Sequence, residues 1–333
     1  MDAAGAPGGV SAEPAESGPS LREARALWVM WGVVAGLVWI TYARLPAADF
    51  YNVSGSGITG GAARVLVLLG WPISLAAPAL LAVAVDRLLG SPLTRVQRRA
   101  VIVAAIASVV LCATIAWPGV IKQSNLDAKW SNTLAALGVA LAVAITVLAL
   151  RRRGAGPRQP VTGGDRAAIV LIAVMGVAAL PWVFANVGIY VGDVPALSAV
   201  FMSKKILPEP GHPHLHAVHL GNHEGLDGWL LAATALGLRR GLRRMRPTRL
   251  RTTLSCYLAL LLGYGLMVAA NDFWHEQLVK RGTTTHSLPD VITPGVSGGW
   301  AFLLVFAATL YVVGYRIQSS RDELDGSARL QGE

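Results

Sequence analysis

The sequence predicts an all-α, polytopic integral membrane protein, a helical bundle of about eight transmembrane helices with both termini in the cytoplasm. Hydrophobic residues make up 53% of the 333 residues and charged residues only 14%, whereas a soluble domain carries roughly a quarter charged residues. The apolar residues form blocks of about twenty, the length that crosses a bilayer as a helix. Arginines concentrate in alternate connections, which predicts the orientation of the helices.

Eight segments have the length and composition of membrane-spanning helices, and they divide the chain into three regions. Residues 1–24 are predicted to be a disordered cytoplasmic leader, because Ala, Gly, Pro, Ser and Glu dominate them and no hydrophobic periodicity is present. Residues 25–318 form the transmembrane domain, and residues 319–333 form a cytoplasmic tail. The predicted spans are 28–44, 62–85, 100–117, 132–150, 167–184, 219–238, 252–270 and 299–315.

The net charge of +10 is explained by membrane topology. With a cytoplasmic N-terminus, 21 of the 29 Lys and Arg residues lie inside and 8 outside, which is the positive-inside pattern. Contacts with membrane lipids are therefore expected, and a nucleic-acid partner is not. The chain is rich in arginine and poor in lysine, which favours a bacterial source and hence the bacterial plasma membrane.

All seven histidines fall on the predicted outer side, and five of them, from His212 to His223, form one run before the sixth span. The purely apolar part of this span, 229–238, covers only about 15 Å, half of the hydrocarbon core. To cross the membrane, the helix must begin near His219. His219, His223, Glu224 and Asp227 then lie in the outer half of the bilayer, where ionisable side chains usually mark a functional site.

These residues predict a divalent metal site. On a helix, His219, His223 and Asp227 share a stripe within an arc of roughly 80°, with Glu224 at its edge. The four-residue spacings let both imidazoles and the carboxylate reach one ion of zinc, iron or copper. The predicted metal ligands are His219, His223, Asp227 and His275; His275 comes from the outer end of the seventh span, where Asp272 and Glu276 also lie. Glu224 completes the ligand set or carries protons.

Several functions stay open at the level of sequence. A metal-dependent enzyme would activate water with Glu224 as catalytic base and hydrolyse a lipid or lipid-linked substrate. A proton-coupled transporter or permease would use Asp227 and the histidines as a relay. A third interpretation is a non-catalytic membrane protein partner in a complex. Haem ligation by two histidines would require His275 to reach inward.

Two weaker motifs carry less functional information. The segment Gly295-Val-Ser-Gly298 resembles the Gly-x-Ser-Gly motif of rhomboid proteases, but no histidine follows Ser297, so Ser297 is predicted to cap the eighth span. Cys112 and Cys256 belong to opposite ends of their spans and are not expected to form a disulfide.

Overall fold

The computed structural model describes residues 20–44, 58–117, 127–156, 160–180, 183–184, 195–196, 224–243, 245, 248–279, 281–289, 291–292 and 294–316. This part of the chain is helical and contains no β-strand, which confirms the all-α prediction. Within the described residues, six helical segments are long and apolar enough to cross a membrane, and one of them is Gly60–Leu89. The predicted tail, residues 319–333, lies outside the described residues, as does the predicted leader apart from residues 20–24.

We number the helices in chain order. Where an α-helix continues directly into a 3₁₀ or π-helical turn, the bounds of that turn are given after those of the helix. The helices are α1 (Arg22–Tyr42), α2 (Gly60–Leu68, with a π-helical turn Leu69–Ile73), α3 (Ser74–Leu89), α4 (Arg95–Ala113, with a 3₁₀ turn Thr114–Ala116), α5 (Trp130–Arg153), α6 (Gly163–Ala178), α7 (Glu224–Leu242), α8 (Arg249–Trp274, with a π-helical turn His275–Val279) and α9 (Gly298–Leu310, with a π-helical turn Tyr311–Arg316).

The predicted spans 167–184 and 219–238 correspond to α6 and α7, which are not among the six segments long and apolar enough to cross a membrane. α6 has only sixteen residues. α7 has acidic residues in its first turn and Arg239 and Arg240 in its last turn. Yet α7 is the most enclosed helix, since fifteen of its nineteen residues are buried, and α1, α3, α6 and α8 surround it. The polar residues of α7 are therefore enclosed by protein.

The ends of the helices define two poles of the bundle. At the pole that we call the arginine-rich end, the start of α1 meets the segment after α5: the Leu21 amide donates to the Ala155 carbonyl over 2.9 Å. At the opposite pole, which we call the acidic end, the start of α2 packs on the end of α1, where Gly61 touches the Trp39 carbonyl. Ile58 also forms an isolated bridge with Ala128 there.

The predicted span 62–85 is not one continuous helix. Trp71 has extended backbone angles (φ −164°, ψ 124°) inside the segment that joins α2 to α3. Its indole Nε1 donates to the Tyr264 hydroxyl over 3.1 Å, and that hydroxyl donates to the Ile292 carbonyl over 3.2 Å. Irregular backbone inside a membrane bundle requires such protein partners. Pro72 was the sequence signal for this interruption, because proline lacks the N–H that a continuous helix needs.

Candidate functional site

The acidic end is organised by a close crossing of α7 and α8. A Cβ placed on Gly228 would lie 2.6 Å from the Gly265 carbonyl oxygen and 2.7 Å from the Ala269 amide nitrogen. A Cβ on Gly265 would lie equally close to the Gly228 carbonyl, at 2.5 Å. Gly228 with Ala232, and Gly265 with Ala269, form small-residue pairs at four-residue spacing, which permits such backbone contact between membrane helices.

Four buried carboxylic acids lie next to this crossing. Glu224 and Asp227 occupy the first turn of α7, where the helix dipole favours negative charge. Asp272 and Glu276 lie one turn apart at the end of α8. Their exposed fractions are 6%, 8%, 3% and 2% in sequence order. We call Glu224, Asp227, Asp272 and Glu276 the carboxyl cluster.

A hydrogen bond joins the two halves of the carboxyl cluster. The backbone N–H of Gly225 donates to Asp272 Oδ2 over 3.2 Å. An N–H in the first turn of a helix has no acceptor within that helix. Asp272, on the neighbouring helix α8, provides the acceptor for the Gly225 N–H in the first turn of α7. This bond fixes Asp272 close to the backbone that carries Glu224 and Asp227.

Negative charge gathered in a protein-enclosed place requires compensation by cations, by protons or by arginine. Arg64 of α2 is buried at the same end of the bundle, with 4% of its surface exposed. The arrangement can therefore bind a cation, exchange protons or support a network of ion pairs.

The structure brings together only part of the predicted metal set. Glu224 and Asp227 lie in the carboxyl cluster, and His275 is half-buried in the turn that also carries Glu276. His219 and His223 lie outside the described residues, as does the rest of the histidine run. Among the residues that the structure describes, no three of His, Cys, Asp or Glu are placed to hold a metal ion. The predicted set of four ligands stays a prediction.

Asp272 and Glu276 are buried at the end of α8, although the sequence analysis chose neither as a metal ligand. The prediction placed both acids at the same face but chose His275 as the ligand from α8. The signal that favours the acids was their four-residue spacing at the end of an apolar span, which places them on one helical face.

The arginine-rich end holds a second buried polar group, built on different chemistry. Arg243 donates from Nη1 and Nη2 to the two oxygens of Asp165, over 3.0 and 2.8 Å. Arg240 lies 3.6 Å from the same carboxylate, and the Thr162 side chain accepts a hydrogen bond from Arg243. We call Asp165, Arg240, Arg243 and Thr162 the ion-pair anchor. It fastens the start of α6 to the end of α7.

The charge state of Asp165 follows from these contacts. Burial alone would raise the pKa of Asp165, because it penalises the charged form. Hydrogen bonds from Arg243 and Thr162 and the charge of Arg243 outweigh burial, and the pKa of Asp165 lies below its ordinary value. Asp165 therefore stays ionised and paired near neutral pH.

Two secondary predictions are confirmed. The Ser297 hydroxyl accepts a hydrogen bond from the Trp300 amide over 3.3 Å, so Ser297 caps α9 as expected. Cys112 and Cys256 are both free thiols.

In comparisons with known proteins, no protein family, curated protein or solved structure matched this chain. The function is therefore inferred from the chain's own chemistry.

Proposed function

We propose that the chain crosses the membrane eight times, with α6 and α7 as the fifth and sixth spans and the arginine-rich end in the cytoplasm. The clustering of arginines at one pole supports this orientation, because cationic residues are retained on the cytoplasmic side. The enclosure of α7 supports its membrane position despite its polar start. In this arrangement the carboxyl cluster lies in the outer half of the membrane.

We propose that the carboxyl cluster is the functional centre and that it binds a divalent metal ion together with His219 and His223. The observation that carries this proposal is the burial of four carboxyl groups at the α7–α8 crossing. Protein encloses Asp227, and the two histidines precede it by eight and four residues in the sequence. Imidazole and carboxylate together suit zinc and other first-row transition metals.

The chemistry that we propose for this centre is hydrolysis of a lipid or lipid-linked substrate. A metal ion held by Asp227, His219 and His223 would make water a better nucleophile at neutral pH. Glu224 lies one turn nearer the end of the bundle than Asp227, where it can accept the proton of an entering water. Asp272, held by the Gly225 amide, would position the start of α7 during the reaction.

Glu224→Gln separates catalysis from metal binding. We expect the variant to retain metal and to lose at least about a hundredfold in hydrolysis rate, the usual contribution of a general base. The probes are radiolabelled phosphatidylglycerol and a polyprenyl diphosphate in detergent micelles, with zinc present. Glu23→Gln, in the first turn of α1 at the opposite pole, is the matched control. Equal hydrolysis by Glu224→Gln and the parent would exclude this role for Glu224.

A second candidate function is a proton relay, which the layout of the carboxyl cluster favours. Asp227 lies one turn deeper in the bundle than Glu224, and Asp272 one turn deeper than Glu276. Carboxyl groups arranged in this way can pass protons inward from the end of the bundle. The test is proton uptake by vesicles that contain metal-free protein, followed with an entrapped pH-sensitive dye. Uptake that Asp227→Asn abolishes would favour the relay over the metal enzyme.

A further inference from the structure

A groove runs along the outside of the bundle between α3, α4 and α8. It consists of three cavities of about 260, 400 and 240 Å³. The first and second share Leu75, Ile115 and Tyr257, and the second and third share Pro78, Ala82 and Leu250. Because adjoining cavities share lining residues, they form one continuous groove.

The groove offers almost no polar group to a ligand. The Tyr257 hydroxyl donates to the Leu75 carbonyl over 2.6 Å, and the Ser74 hydroxyl donates to the Gly70 carbonyl over 2.7 Å. Tyr264, at the far end, is bound to Trp71 and to the Ile292 carbonyl. These hydroxyls are already used within the protein, and exposed Thr253 adds one further hydroxyl to the lining, so an occupant gains chiefly from apolar contact.

The length of the groove fits a lipid chain. Along α8 the lining extends from Leu250 to Tyr264, a rise of about 21 Å. One leaflet of the hydrocarbon core is only about 15 Å deep. The groove therefore accommodates an acyl chain over the full depth of one leaflet.

Charge distinguishes the two ends of the groove. The end at Leu250 lies at the arginine-rich end, where Arg249 and the first turn of α4 are exposed. The arginines of that turn are Arg95, Arg98 and Arg99. Pro294 and Trp300 line the other end, and neither is charged. Cationic side chains at a membrane surface attract anionic headgroups.

We propose that this groove binds one acyl chain of an anionic phospholipid, whose phosphate lies against Arg95, Arg98, Arg99 and Arg249. This lipid is distinct from the proposed substrate, because its headgroup lies at the pole opposite the carboxyl cluster. By filling the space between α3, α4 and α8, the lipid joins helices that otherwise face the bilayer across a gap.

Native mass spectrometry of the full chain in detergent tests the proposal, with phosphatidylglycerol and phosphatidylcholine of equal chain length as probes. We expect the parent to bind phosphatidylglycerol at least about tenfold more tightly than phosphatidylcholine. Ala82→Phe should block the groove and weaken phosphatidylglycerol binding, whereas Ala308→Phe, at an exposed position of α9 outside the groove, should not. Ala113→Leu, which also lines the groove at an exposed position, replaces Ala82→Phe if that variant does not fold.

The role of charge is tested by two fourfold variants that lose the same net charge. Changing Arg95, Arg98, Arg99 and Arg249 to glutamine should reduce phosphatidylglycerol binding to the level of phosphatidylcholine. The control changes four exposed arginines on helices that do not line the groove, namely Arg25, Arg151, Arg152 and Arg166. Equal loss in both variants would overturn the headgroup site. A protein dimer that Ala82→Phe dissociates, without lipid in the parent, would show that a second copy fills the groove.

Discussion

The two buried polar groups at the poles of the bundle differ in composition. In the ion-pair anchor, one aspartate meets two arginines and a threonine within hydrogen-bond or ion-pair distance. In the carboxyl cluster, four acids from two helices gather beside a crossing that only glycine permits. A single carboxylate paired with arginines stabilises the fold, whereas several acids gathered in one enclosed place are typical of a functional site.

Removing the acid of the ion-pair anchor should have the largest effect on stability. Asp165→Ala leaves Arg243 without its carboxylate and should lower the free energy of unfolding by about 3 kcal/mol, as for other enclosed pairs that lose one partner. Thermal unfolding in detergent measures the change. In Asp165→Ala/Arg243→Ala, with both charges gone, part of the loss should be recovered. A loss equal to the sum of the single variants would contradict direct coupling.

The helix crossing beneath the carboxyl cluster should be the next most sensitive feature. Gly228→Ala places a methyl group against the backbone of Gly265 and Ala269 and should destabilise the protein by about 2 kcal/mol. Gly36→Ala is the control, because its added methyl meets nothing within 4 Å. Unfolding temperatures of the two variants give the comparison. Equal temperatures would mean that α7 and α8 are not in backbone contact.

Acidic pH should weaken the ion-pair anchor and lower the stability of the protein, but by less than either substitution above. The pKa of Asp165 is lowered in the folded protein from its ordinary 3.8. Its contribution is therefore fully present above pH 3.8 and is lost as the pH falls through the lower, folded value. The unfolding temperature of the parent should fall over this range more steeply than that of Asp165→Asn. Parallel curves for the two proteins would exclude this linkage.

Neutralising the carboxyl cluster should have the smallest effect on stability. Asp227→Asn removes one of several like charges, and so the unfolding temperature should stay unchanged or rise slightly. The same variant should lose bound metal and hydrolysis, in contrast to Asp165→Asn, which should keep both. A marked loss of stability in Asp227→Asn would assign the carboxyl cluster a structural role like that of the ion-pair anchor.

The sequence revealed the helices better than their packing. Long apolar blocks identify membrane helices because the bilayer imposes a length, and the arginine pattern groups their ends. Pro72 indicates locally that the helix is interrupted, but the hydrogen bonds from Trp71 to Tyr264 and from Tyr264 to Ile292 join residues that are distant in sequence, so no local pattern predicts them. The pairing of Asp165 with Arg243 likewise joins residues 78 positions apart, so no local pattern predicts it.

Only part of the candidate site could be predicted from the sequence, because its other contacts also join residues that are distant in sequence. Glu224 and Asp227 stood out because charge is rare in an apolar span, and both are buried. The link from Asp272 to the Gly225 amide arises from the crossing at Gly228 and Gly265, and it depends on how two helices meet. Hydrophobic periodicity predicts which face of a helix is apolar, but it does not predict which other helix packs against that face.

Elemental analysis tests the central claim, that the carboxyl cluster belongs to a metal centre, most directly. The full chain would be purified in detergent without chelators or a polyhistidine tag, beside His219→Ala/His223→Ala and Asp165→Asn. The account predicts near-stoichiometric zinc, iron or copper in the parent and in Asp165→Asn, and none in a folded double-histidine variant. A parent without metal, or a double-histidine variant with undiminished metal, would contradict it.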